Sequence, residues 1–156
     1  MDMQVGKKML IQLCLAILVI NCVSGNEEFL IAKTIYNEAA GEGEAVMSLI
    51  ASTIVNRQKM NRSYFGGQDL MKIISKYNEF DPEISQEFLG EAIMIKVDPK
   101  GWELSKFFAN KIIKKEFLDV AGGATHFSDK RDGFYMEGPN FIYLFKYGKF
   151  YFFQEK

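Results

Sequence analysis

The sequence predicts an α+β domain, a helical body followed by a C-terminal β-hairpin or small sheet. Two observations carry that reading. Between residues 44 and 59, Val46, Leu49, Ile50, Thr53 and Ile54 recur at three-four spacing, which puts them on one face of a helix. From Phe141 to Phe153 the chain is dense in aromatics and broken by Tyr147-Gly148, the pattern of two strands joined by a tight turn. Length and composition agree. At 156 residues, 48% of them hydrophobic and only 3 proline, the chain can bury one core but not two comfortable ones.

Taken in order, the chain opens with Lys7 and Lys8, an apolar run from Met9 to Ile20, and the small residues of Val23-Ser24-Gly25. That is the layout of a secretory signal peptide over residues 1–25. The run is short for a membrane-spanning helix, which needs roughly 20 apolar residues, so a retained anchor is the secondary reading. Cleavage leaves residues 26–156 as the mature chain, exported to the periplasm, envelope or medium, with no stable membrane insertion. A first helix is expected from Glu27 to Ala40, stopped by Gly41 and Gly43. A second spans Glu44 to Lys59 and ends in Asn56-Arg57 and a polar loop. A short helix from Asp69 to Lys76, with Asp69 as its N-cap or in its first turn, leads into the loop Tyr77 to Pro82. Ser85 to Val97 reads as a further helix stopped by Asp98-Pro99-Lys100-Gly101, and Trp102 to Leu118 as the last, with Leu104, Phe107, Phe108 and Ile112 on one side. Ala121-Gly122-Gly123-Ala124 then opens an extended segment at Thr125-His126-Phe127.

Several chemistries are excluded. Both cysteines, Cys14 and Cys22, fall within the leader, so the mature chain has neither a disulfide framework nor a thiol nucleophile. His126 is the single histidine, and catalytic zinc takes two or three histidines or histidine with cysteine, so no metal or other cofactor is expected. A formal net charge of −1 with no dense basic run argues against nucleic acid as a partner. His126 and Ser128 lie too close along one extended segment to make a base and nucleophile.

Glu38 remains. At helical spacing it shares a face with Ile31 and Ile35, the face expected to be buried. Burial favours the protonated carboxyl, which is what a general acid requires. The competing reading is a helix-end carboxylate bonded to backbone or to a cation.

The segment Ile35-Tyr36-Asn37-Glu38-Ala39-Ala40-Gly41-Glu42, followed by Asn56-Arg57, Glu79-Phe80-Asp81, Gly122-Gly123-Ala124-Thr125-His126-Phe127 and Lys149-Phe150-Tyr151, resembles the SleB-type (spore cortex-lytic enzyme-like) cell wall hydrolase family. The likeness covers residues 29 to 153. It departs from the family pattern at Glu79, Asp81, Val46 and Ser128, and in the long segment from Pro82 to Lys100. The resemblance implies a lysozyme-like fold over residues 26–156 acting on peptidoglycan, with Glu38 as the catalytic acid. It implies a lytic transglycosylase that cleaves the bond from N-acetylmuramic acid to N-acetylglucosamine and leaves a 1,6-anhydro end. Such an enzyme manages with one carboxyl, because the sugar's own 6-hydroxyl takes the place of water, whereas most glycosidases use two. Substrate contacts are expected from Tyr36, Phe80, Thr125, His126 and Tyr151. Glu42, Asn56 and Arg57 are expected to support the site, Glu42 by bonding a loop or capping the second helix. A hydrolytic muramidase and a non-catalytic glycan-binding module on the same fold are the alternatives. The enzyme is expected to be a monomer.

Overall fold

A computed structural model of the chain describes residues 27–78, 91–130 and 140–156. Residues 1–26, with the expected leader, the loop holding Phe80 and Asp81, and the first part of the helix expected from Ser85 lie outside the described residues. Within them the protein is α+β, with a helical body and a C-terminal three-stranded antiparallel sheet.

Helix α1 runs through residues 27–39. Ile31, Ala32, Ile35 and Ala39 form its buried stripe, and it ends at the Gly41 to Gly43 turn, where the Glu42 amide donates to the Ala39 carbonyl (3.0 Å). Helix α2, Glu44–Met60, is the centre of the molecule. The single stripe expected of it is too narrow. Met47, Ala51, Ser52 and Val55 are buried as well, because α2 is packed by helices and by the sheet on different sides. Its core hydroxyls are satisfied locally, with Ser52 Oγ donating to the Ser48 carbonyl (3.0 Å) and Thr53 Oγ1 to that of Ile50 (2.8 Å).

A 3-10 turn at Ser63–Phe65 turns the chain into α3, Leu70–Asn78, which extends two residues past the predicted end. Asp69 caps α3 by accepting from the Met71 and Lys72 amides (3.0 and 3.2 Å). Gly66 is required at this corner, since a Cβ there would lie 2.7 Å from the Ile73 nitrogen.

Helices α4, Glu91–Val97, and α5, Pro99–Ile113, meet at Asp98. The sequence predicts a stop at Asp98-Pro99-Lys100-Gly101 and a new helix only from Trp102. The same residues are also a start signal. Pro99 stands at the first helical position, where no amide is needed, and Asp98 Oδ1 accepts from the Gly101 amide (2.9 Å). The predicted end at Leu118 is also corrected. Lys115 adopts φ 57°, and the Glu116 and Lys115 amides close back on the Lys111 and Ile112 carbonyls (2.9 and 3.0 Å), a Schellman stop. The buried face of α5 is Trp102, Ser105, Phe108, Ala109 and Ile112, while Phe107 is exposed.

Strand β1, His126–Ser128, and strand β2, Phe141–Tyr147, both pair antiparallel with the central β3, Phe150–Glu155. The hairpin closes on Gly148-Lys149 between the partners Tyr147 and Phe150, with Gly148 at φ 57° in the first loop position. Phe127, Phe150, Phe152 and Phe145 share one face of the sheet, and Phe150 and Phe152 belong to the core. His126, Phe153, Tyr143 and Tyr151 share the other.

Contacts at both ends lay β3 along α2. Lys149 pairs with Glu42 (2.6 Å) just before α2 begins, and Arg62 pairs with Glu155 (2.8 Å) just after it ends. The lengths match, since a 17-residue helix spans about 25 Å and six strand residues about 20 Å. Among the described residues no helix is long and apolar enough to cross a membrane.

Candidate active site

Glu38 occupies the last turn of α1. Its neighbours on that face, Ile31 and Ile35, are fully buried, while Glu38 itself is half-buried. The expectation of a sealed carboxyl is therefore corrected to one at the boundary between core and surface. The helix ends directly after it and opens its flank. One turn on, Glu42 is held by Lys149 of the hairpin turn, whose ammonium also lies 5.1 Å from the Phe150 ring centroid. The turn that follows α1 and the hairpin turn therefore meet at Glu42 and Lys149.

The second junction is at Asn56-Arg57. Asn56 is buried, and its Nδ2 donates to the Ala124 carbonyl (2.9 Å) and to Asp119 Oδ1 (3.1 Å). Arg57 Nε donates to the Thr125 carbonyl (2.7 Å), and the guanidinium lies 5.0 Å from the Phe65 ring centroid. Asp119 ties the intervening loop by accepting from the Ala121 and Gly123 amides (2.8 and 2.7 Å). Sequence reasoning missed Asp119, and it placed Lys149 in a motif without giving it a partner. An Asp shortly before Gly-Gly is an Asx-turn signal and marks the first. Nothing local marks the second, whose partner is distant in sequence.

Thr125 is 1% exposed, and its hydroxyl is engaged by the Glu155 amide (3.1 Å) and by His126 Nδ1 (3.0 Å). It positions His126 and β3 rather than offering a hydroxyl to solvent, which corrects its expected role as a substrate contact. The His126 ring is half-buried between Phe65 and Phe141, at centroid distances of 5.4 and 4.9 Å. Burial, and then the Arg57 charge, push its pKa down to about 3, so the ring is neutral near pH 7 and a very weak base. Tyr151 is half-buried on the same sheet face, with the Lys146 ammonium 4.8 Å from its ring centroid.

Tyr36 does not sit with Glu38. Two residues apart on a helix, their side chains diverge by about 160°. Tyr36 is 4% exposed, stacks edge-on against Trp102 (5.9 Å), and lines a groove of about 580 Å³ with Ala40, Gly43, Met47, Asp98 and Leu104. Glu38 is not among the residues lining that groove. Among the described residues no group of His, Cys, Asp and Glu is placed to hold a metal ion.

No protein-family model matches the chain, and searches of curated proteins and of solved structures likewise find no match.

Proposed function

We propose that this protein is an exported peptidoglycan glycosidase of the SleB-type cell wall hydrolase kind, acting as a lytic transglycosylase with Glu38 as its single acid and base. The observation that carries the reading is the pairing of Glu42 with Lys149 (2.6 Å). It joins the motif at the end of α1, which carries Glu38, to the closing strand motif. The Asn56-Arg57 bonds to Ala124 and Thr125 join two more of the motif segments in the same way, and the fifth, Glu79-Phe80-Asp81, lies outside the described residues.

Glu38 first protonates the glycosidic oxygen, and the bond from the anomeric carbon breaks. The resulting carboxylate then takes the proton of the 6-hydroxyl on the N-acetylmuramic acid, whose oxygen closes on the anomeric carbon. The half-buried setting leaves the carboxyl open to a substrate, as both steps require.

Digestion of purified sacculi, followed by mass spectrometry of the soluble products, tests this. Anhydro-ended muropeptides are expected, with Glu38→Gln lowering their release by about 100-fold or more while the thermal midpoint holds. Reducing ends would mean water is the nucleophile and the enzyme a muramidase. Equal, negligible release from both proteins that still bind sacculi would mean a binding module.

A further inference from the structure

The groove beside Tyr36 has a chemistry that Glu38 does not use. It lies where the end of α1, the start of α2 and the start of α5 converge, on the far side of α1 from Glu38. Its volume of about 580 Å³ falls within the range of small-molecule sites. Met47, Leu104, Val97 and Ala40 give it apolar walls, while Asp98, Glu44 and Lys100 supply its charged groups.

The Tyr36 ring is buried in the core against Trp102, yet its hydroxyl has no hydrogen-bond partner among the described residues. Among the described residues no sealed side-chain nitrogen or oxygen lacks a partner, so the Tyr36 oxygen is not sealed, and its residue lines the groove. A tyrosine fixed this way usually has its hydroxyl satisfied. The Asp98 carboxylate is close enough to join burial in raising the phenol above its ordinary pKa, but the two do not bond. A donor and a carboxylate acceptor that do not bond each other thus line one groove. A ligand hydroxyl can serve both, since it can accept from Tyr36 and donate to Asp98. Further donors come from the first turn of α2, where Gly43 provides no side-chain cap. The two carboxylates outnumber the one ammonium, which disfavours an anion.

We infer that this groove is a second, non-catalytic binding site for a neutral saccharide, with one sugar hydroxyl seated between Tyr36 and Asp98 and an apolar ring face on Met47 and Leu104. The inference does not rest on Glu38, and its test is run where Glu38 is disabled.

The probes are the trisaccharides of N-acetylglucosamine and of glucose, titrated into the Glu38→Gln protein and followed by amide chemical shifts. Shifts are expected at Gly41, Gly43 and Gly101, with dissociation constants that match between Glu38→Gln and wild type. Tyr36→Phe removes only the oxygen that no described residue bonds, so the thermal midpoint should hold while binding weakens about fivefold or more. Val97→Trp, at a groove residue that is itself exposed, should block the site without touching the core. Binding of the acetamido sugar alone assigns the recognition to its N-acetyl group and overturns the hydroxyl bridge. No shifts at the groove, or binding indifferent to both variants, overturns the site. Loss of binding in Glu38→Gln relative to wild type places the sugar at the Glu38 flank and overturns it as well.

Discussion

His126 shows how a side chain's surroundings become a dependence on pH. In the unfolded chain its pKa is near the ordinary 6.5, and in the folded protein desolvation, and then Arg57, hold it at about 3. Between those values the unfolded state binds more protons than the native state, so stability rises with pH across that window. The contribution is complete above about pH 6.5 and is lost as pH falls toward about 3. Urea midpoints measured from about pH 7 down to about pH 4 should fall steadily, and His126→Gln should flatten the slope. An identical slope in that variant would assign the acid sensitivity to carboxylates instead. Asn56 is the other residue on which local structure turns. Asn56→Leu fits the volume but removes the side-chain donor to the Ala124 carbonyl and one of the two donors to Asp119 Oδ1, at a cost of about 1–3 kcal/mol in urea unfolding. A shift below about 0.5 kcal/mol would show that the loop finds other donors.

Among the elements, the ones marked by periodicity or by turn chemistry were legible in the sequence. The stops of α1 at Gly41 and Gly43, the start of α3 at Asp69 and the hairpin at Gly148 all follow from local backbone preferences. Asp98-Pro99 was not, because a proline that ends one helix is also the best residue to begin another. The two roles are separable by experiment. Asp98→Ala should destabilise by about 1 kcal/mol through loss of the cap on α5, read as a lower thermal midpoint. The end of α5 was misjudged because a lysine, rather than a glycine, takes the left-handed position at residue 115. The candidate site was legible only in part. Glu38 and the Asn56-Arg57 pair are visible in their motifs, but the burial of Thr125 and the separation of Tyr36 from Glu38 depend on which neighbour covers which face.

At the scale of the molecule, one core is built from segments far apart in the chain. Asn56 bonds Ala124 across 68 residues, and Arg62 bonds Glu155 across 93. No cysteine lies between residues 23 and 156, so no disulfide shares that work there, and dithiothreitol should leave the thermal midpoint of residues 26–156 unchanged. A fall in reductant with the full sequence would indicate that Cys14 and Cys22 are cross-linked.

The lodging of β3 along α2 has a further consequence. The strand at the middle of the sheet follows both of its neighbours and α2 in the chain. Until residue 155 has emerged from the ribosome, β1 and β2 have no central strand to pair with, and the core lacks the rings of Phe150 and Phe152. A nascent chain therefore carries an open sheet and an unfilled core until that segment is made.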